Sequence, residues 1–396
     1  MGNEYNDCMR LLFIADGRSP IARNWIRYFA ERGDEVILAS TFECDVDFPL
    51  KRLTFTPVAF SALKKNSPAP RSASSRALGL RTVIRQFLGP LTLPLSARKL
   101  RALIKETQPD LIHALRIPYE GMLAAFALGG AAGAVEARAF VVSIWGNDFT
   151  LHAPSNFLMK RATRKAMNAA SALHADCQRD VRLAHQWGFD NAKPILVTPG
   201  NGGIRTDIFY PPEQTVKEPV IINPRGFRTY VRNDTFFKAI PLVLAKRPDA
   251  RFICSSMAGE TQAIEWIKNL GIEHAIQLNP SIPHAQMAET FRSAQVVVSP
   301  SIHDGTPNTL LEGMACGCFP IAGDLESVRE WITPNQNGLL VNSGDPHSIA
   351  DAILLALARE DLRREAAGLN AKLIASRAEY TRCMELAGKF YEEVQR

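Results

Sequence analysis

SPSIHDGTPNTLLEGMACGCFPIAGDLESVREWITPNQNGLLV, residues 299–341, is the stretch that decides the reading of this chain. The residues before it, 295–299 (QVVVS), form an apolar run of buried-strand type. Thr306 suits a helix N-cap and Pro307 the first helical position. Gly317 supplies the stop. Asp304 therefore falls in a loop after a strand, and Glu312 falls on the helix that follows. The unpaired amides and positive dipole end of a helix start suit an anion. A carboxylate repels phosphate but accepts hydroxyl hydrogens. Amides flanked by two carboxylates suit a sugar nucleotide.

At these residues the chain resembles the retaining glycosyltransferases of the GT-B fold, glycosyltransferase family 4. Asp304 stands at the first position of the family's E-x7-E pattern and Glu312 at the second. Residues 311–317 (LEGMACG) resemble the family's LEAMACG run. Residues 327–330 and 337–341 (NGLLV) resemble its downstream segment. The resemblance implies that Glu312 holds the ribose hydroxyls and Asp304 those of the transferred sugar. It implies that Gly305, Thr306, Pro307 and Asn308 bring backbone close to the sugar and diphosphate. Asp in place of Glu shortens one arm by a methylene, which bears on the donor sugar more than on the reaction class. The implied donor is a nucleotide-diphosphate sugar, used as substrate, with no separate cofactor and no metal. The implied reaction keeps the anomeric configuration without a covalent enzyme intermediate, the leaving phosphate helping to deprotonate the acceptor hydroxyl.

Working outward, apolar runs alternate with helical patterns in both halves, which predicts α/β architecture with parallel sheets. Residues 10–15 read as a strand and Asp16-Gly17-Arg18 as a turn. A helix capped by Ser19 with Pro20 at its first position then runs to Gly33. Further strands are expected at 36–39, 109–114, 139–144, 195–197, 220–222, 252–254, 275–278 and 296–298. The Pro199–Gly203 turn resembles the family's hinge. Residues 380–394 carry helical spacing, and in the GT-B fold such a helix crosses back to the first domain. The expected architecture is GT-B: two Rossmann-like parallel-sheet domains facing a cleft. The domains are an acceptor-side one at 1–205 and a nucleotide-sugar one at 206–379, with the returning helix at 380–396.

Three further groups are candidates. Gly17, between a strand and a helix, would let backbone approach a phosphate, although G-x-G-x-x-G is absent. Trp145-Gly146-Asn147-Asp148 lies at the C-terminal end of an expected strand, where open α/β sheets bind ligands. It resembles the family's H-G-x-D/E loop with Trp145 in place of His. Asp148 would contact a sugar there, or simply cap the next helix. A departing diphosphate gains negative charge, which fixed cations stabilise. Arg225 matches the family's first Arg, and either Arg228 or Arg232 would replace its Lys. His113 and His303 read better as structural or solvent-facing. Asp45-Val46-Asp47 forms a D-x-D by chance, outside the expected nucleotide pocket. Gly129 to Gly133 follows a helical pattern and reads as a loop.

Composition is that of an ordinary globular chain, 46% hydrophobic and 22% charged over 396 residues. Seven cysteines without a C-x-x-C pair predict neither a disulfide framework nor a metal site, and point to a reducing compartment. The N-terminal apolar run is too short for a signal peptide or membrane span. The net charge is +6, yet residues 51–105 hold twelve Lys or Arg and no acid, interleaved with Leu, Ile, Val and Phe. This stretch is either a solvated helical face or a surface for anionic lipid or a phosphate-bearing acceptor. Nucleic acid is a poor third for want of stacking aromatics. The expected protein is cytoplasmic, with peripheral attachment to the inner face of the membrane. It would transfer a sugar to a hydroxyl acceptor such as a glycolipid or polysaccharide precursor. A sugar-nucleotide epimerase or hydrolase on the same fold, or a non-catalytic sugar-nucleotide binder, stay open as alternatives.

Overall fold

Strand β1 (Arg10–Ala15, RLLFIA) is buried from Leu11 onward. Such a continuous apolar run belongs to a parallel strand covered on both faces. The computed structural model describes residues 8–59, 61, 87–129, 139–214 and 216–396. The chain divides into two units, residues 1–202 with 382–396, and residues 203–381.

In the first unit β1 is joined by β2 (Glu35–Ser40), β3 (Arg52–Phe55), β4 (Leu111–Ala114), β5 (Ala139–Ile144), β6 (Ala172–Ala175) and β7 (Ile195–Val197). They form one parallel sheet in the order β3-β2-β1-β4-β5-β6-β7. Leu12 and Ile14 face one side, where they pack with Leu100, Ile104, Leu123 and Met167 of the helices Leu93–Thr107, Met122–Leu128 and Phe157–Ala169. Phe13 faces the other side, near Phe29 of the helix Pro20–Arg32 and Tyr391 of the helix Tyr380–Gln395. That first helix starts where its sequence says. Ser19 Oγ accepts from the Ala22 amide, and Gly33 ends the helix at φ 104°, a conformation that favours glycine.

In the second unit β8 (Val220–Asn223), β9 (Arg251–Cys254), β10 (Ile276–Leu278), β11 (Val296–Ser299), β12 (Phe319–Gly323) and β13 (Leu339–Val341) form a second parallel sheet. Its order is β10-β9-β8-β11-β12-β13. Val296 and Val298 face the helices Asn233–Leu244 and Pro346–Ala358, while Val297 faces Leu310, Leu311 and Phe291. Both sheets reverse their strand order beside the first strand, the topology that leaves a ligand crevice at the carboxyl ends of the strands. The two parallel-sheet Rossmann-like domains expected from the sequence are present.

Strands β3 and β6 do not stand out in the sequence. Each has four residues, too few for a periodicity, and β3 is a half-exposed edge strand inside the basic stretch. Of the basic residues named there, Lys64, Lys65, Arg71, Arg76, Arg81 and Arg85 lie outside the described residues, as do residues 130–133 of the glycine-rich run. Gly129 itself ends the helix Met122–Leu128.

Candidate active site

The chain leaves the buried end of β11 at Ser299 and turns through residues 300–307 before the helix Asn308–Ala315. Asp304 Oδ2 accepts from Arg225 Nη1 at 2.6 Å, each side chain 15% exposed. Ser327 Oγ donates to the Asp304 carbonyl at 2.7 Å. Thr306 is not the helix cap. Its hydroxyl accepts from Trp331 Nε1 at 3.2 Å, and Pro307 takes the cap position with φ −81° and ψ 90°. The buried contact to Trp331 draws Thr306 toward the interior and moves the helix start on by a residue. Gly305 is buried, and Asn308 Oδ1 and Thr309 Oγ1 are buried without a hydrogen-bond partner.

Glu312 lies one turn into this helix and is 6% exposed. Its carboxyl has no hydrogen-bond partner among the described residues, and burial alone pushes its pKa up to about 8. A buried carboxyl with nothing to accept from is costly. It is a buried acid rather than a surface one.

The Arg-rich loop after β8 is braced by two asparagines. Asn223 Oδ1 accepts from the Arg225 amide at 3.1 Å, and Asn223 Nδ2 donates to Asn233 Oδ1 at 2.9 Å. Asn233 Nδ2 in turn donates to the Gly226 carbonyl at 3.3 Å. Of the two candidates for the second cation, Arg232 is already engaged. It donates to both Asp234 oxygens, at 2.9 and 3.0 Å, and to Thr235 Oγ1 at 2.8 Å. Arg228 is exposed and has no ion-pair partner among the described residues.

In the first unit, the carboxyl ends of the strands gather Gly17, Arg116, the 145–148 loop, Asp176 and Gly200. The Gly17 amide donates to Ser40 Oγ at 3.1 Å, and a Cβ at Gly17 would lie 2.3 Å from Cys44 Sγ. The requirement for glycine here is therefore steric, and its amide is occupied rather than open to a phosphate. Asp148 is fully buried and accepts from Arg116 Nε at 2.8 Å and from the Ile117 and Trp145 amides at 3.2 Å each. Burial pushes its pKa up, against the pull of Arg116. Gly146 is held from both sides. Its amide donates to Asp176 Oδ2 at 3.3 Å, and its carbonyl accepts from Arg179 Nη2 at 2.7 Å. Trp145 rests against Gly200, where a Cβ would come within 3.3 Å of the indole. Arg116 and the Asp176–Arg179 pair carry no sequence signal of their own. Asn223 has a weak one, a polar residue closing an all-apolar strand.

His113 is buried and bonded to Tyr391 and Ser143, the structural reading. His303 is half-buried beside Asp304. Asp47 of the D-x-D is paired with Arg23 and Arg27 at the surface. Among the described residues Asp176, Cys177 and Asp180 lie close enough together to share a cation. They do not suit one well. Burial holds the Cys177 thiol protonated, and Asp180 already pairs with Arg179 at 2.8 Å. Burial and the neighbouring Asp180 push Asp176 well above the usual carboxylate range.

Residues 205–372 match the family model of the glycosyl transferases group 1, and residues 16–200 match that of the glycosyl transferase 4-like domain. The second unit thus belongs to the glycosyl transferases group 1, and the first to the glycosyl transferase 4-like domains. Among curated relatives, the chain is similar to the D-inositol 3-phosphate glycosyltransferase of Thermobispora bispora. The two are 24% identical over 182 residues, 41% of this chain and 42% of the relative. The enzyme of the same name from Paenarthrobacter aurescens is 29% identical over 123 residues, 30% of each chain. The matched stretch thus spans less than half the length of these relatives. The fold is similar to sucrose-phosphate synthase from Thermosynechococcus elongatus, with TM-score 0.74 and 15% identity over 97% of this chain and 99% of that one. It is also similar to Anabaena HepE, solved with UDP and glucose, with TM-score 0.71 and 14% identity over 97% of this chain and 100% of that one. The two acids of residues 304–312 thus differ: one is paired with Arg225, and the other has no hydrogen-bond partner among the described residues.

Proposed function

We propose that this chain transfers a sugar from a nucleoside-diphosphate sugar to a hydroxyl acceptor, with retention of configuration at the anomeric carbon. The observation that carries the reading is Glu312, a buried carboxyl with no hydrogen-bond partner among the described residues, on a helix that follows a strand end. A ribose hydroxyl would supply the missing donor. Asp304, held by Arg225, would accept from hydroxyls of the transferred sugar. Gly305 to Asn308 would lie with their backbone against the diphosphate.

Arg225 and Arg228 would stabilise the charge that builds on the departing diphosphate. Arg228 fits the second role better because Arg232 is spent on Asp234. The bond from the anomeric carbon to the phosphate oxygen breaks as the bond to the acceptor oxygen forms. The acceptor proton passes to the leaving phosphate. The protein's share is positioning and charge stabilisation. Asp148 acts as a positioning residue that sets Arg116 and Trp145, since its own oxygens are occupied.

The exposed Phe87, Leu88, Leu91 and Leu95 beside the exposed Arg98 support a second element of the proposal, peripheral attachment to an anionic membrane and a lipid-linked acceptor. No helix among the described residues is long and apolar enough to cross a membrane. Some of the basic charge is already used, because Lys51 pairs with Glu35 and Arg52 with Glu106.

The test is a thermal-shift panel of UDP-glucose, UDP-N-acetylglucosamine and GDP-mannose, followed by product analysis with cell lipid extract. The expected result is stabilisation by one donor and an axial linkage in the product, since all three donors carry an axial diphosphate. An epimerised donor would point instead to an epimerase, and binding without any product to a non-catalytic module.

A further inference from the structure

The ends of β11, β12 and β13 leave a cavity of about 360 Å³ in the second unit, lined in part by Ser301, Ile302, Asp324, Leu325, Asn342 and Ser343. Neither Asp304 nor Glu312 lines it. The volume is at the small end of the roughly 300–1,000 Å³ range of small-molecule sites. Gly323, next in the chain to the lining Asp324, is tightly packed. A Cβ on Gly323 would lie 2.2 Å from the Ser301 carbonyl and 2.4 Å from Ser343 Oγ.

Ser301 is 2% exposed, and its hydroxyl has no hydrogen-bond partner. A buried hydroxyl in that state is costly, and rotation about its Cα–Cβ bond would turn it toward the cavity that the residue lines. Ser343 Oγ donates to the Ser301 carbonyl at 3.2 Å and keeps its lone pairs as acceptors. Asn342 Oδ1 accepts from the Gly344 amide at 3.0 Å, which leaves the side-chain NH2 as a donor at the mouth. Ile302 is exposed and Leu325 half-buried, so the wall is partly apolar.

The charges point to a neutral occupant. Both Asp324 oxygens accept from Arg329, at 2.6 and 2.7 Å. Arg232 is held by Asp234. No uncompensated charge therefore faces the cavity among the residues that line it. Hydroxyl and amide groups against aliphatic side chains are what a sugar ring presents a match for, with its hydroxyl edges and apolar C–H faces.

We infer that this cavity binds a neutral saccharide ring, at a position separate from the Asp304–Glu312 site. The inference does not depend on the transfer reading, because it requires only binding. The cavity is linked to that site by short connections. Ser327, two residues beyond Leu325, donates to the Asp304 carbonyl, and the Ile302 amide donates to the Tyr230 carbonyl at 2.8 Å.

Saturation-transfer NMR on the full chain tests it, with methyl α-D-glucopyranoside, methyl α-D-mannopyranoside and maltotriose as probes. The expected result is saturation of at least one probe. Ser301→Val and Asn342→Trp should each weaken that binding about tenfold or more, while Glu312→Gln leaves it unchanged. Asn342 is exposed, so its variant should melt with the wild type. Tighter binding of maltotriose than of the methyl glycosides would identify the source as a longer saccharide chain, and equal binding a single free ring. No saturation of any probe would overturn the inference. So would binding that survives Asn342→Trp but disappears in Glu312→Gln, because the sugar would then occupy the other site.

Discussion

Glu312 is held at a cost to the free protein. Its pKa is raised by burial from 4.5 to about 8. Below the unfolded value both states are protonated and there is no penalty. Between 4.5 and about 8 the unfolded chain ionises while the folded one stays protonated, so stability falls as pH rises through that window. The loss is on the order of a few kcal/mol. Glu312→Gln should therefore raise Tm at about pH 8.5 and leave it nearly unchanged at about pH 4.5. The same variant should lower kcat/KM by about a hundredfold, because a donating ligand hydroxyl favours the ionised carboxylate and Gln offers only a neutral acceptor. A variant with normal transfer would remove Glu312 from the site. Asp304→Asn is expected to differ. It leaves the Arg225 guanidinium without its carboxylate, at a cost of about 3 kcal/mol, so transfer and Tm should fall together. Urea titration of the two variants side by side separates a ligand group from a group that also supports the loop.

At the scale of elements, the C-terminal helix is tied to the first sheet by a chain of buried hydrogen bonds. His174 Nε2 lies 3.1 Å from the Thr198 carbonyl, which can only accept. That proton assignment fixes the others. Ser143 Oγ donates to His174 Nδ1 at 2.8 Å, and His113 Nε2 donates to Ser143 Oγ at 2.8 Å. Tyr391 then donates to His113 Nδ1 and accepts from Trp25 Nε1 at 2.9 Å. Both histidines are neutral Nε2–H tautomers in this arrangement, and nitrogen-detected NMR should show them so. Burial lowers His174 to about 4 and His113 well below 6.5. A depressed histidine pKa contributes stability above the unfolded value that is lost as pH falls through the folded one. The first unit should thus weaken between about pH 6.5 and 4. Tyr391→Phe leaves Trp25 and His113 each lacking a partner and should cost about 1–3 kcal/mol. A urea midpoint unchanged in that variant would show that the chain adds nothing to the hold on the helix.

For the whole molecule, two expectations concern its surroundings. Transfer should persist in excess EDTA, since Arg225, Arg228 and the helix amides can carry the diphosphate charge. Loss of activity with rescue by Mg²⁺ or Mn²⁺ would refute this and direct attention to Asp176, Cys177 and Asp180. Membrane attachment is the other. Leu91 and Leu95 are 62% and 73% exposed next to basic residues. Each Lys or Arg near an anionic surface contributes roughly 1 kcal/mol, so low-salt pelleting with anionic liposomes should exceed that with neutral ones. It should weaken as salt rises. Leu91→Ser with Leu95→Ser should reduce it. Equal, negligible pelleting with both vesicle types would favour a water-soluble acceptor.

The sequence alone determined the strand–helix alternation, the parallel sheets, the cap and stop of the first helix, and the position of Asp304 and Glu312 on either side of a helix start. These follow from short-range chemistry: apolar period, proline and glycine dihedrals, and one dense local pattern. It did not determine which polar groups were spent and which stood free. Arg228 and Arg232 read alike in the chain, yet Asp234 engages only Arg232. Gly17 and Asp148 read as ligand contacts, yet Ser40 and Arg116 occupy them. Thr306 read as a cap until Trp331 took its hydroxyl. Asp234 is only two residues from Arg232, but the other partners lie as many as 32 residues away in the chain, beyond any local pattern. Only the packed structure decides them, because a buried polar group must be satisfied by whatever the fold brings beside it.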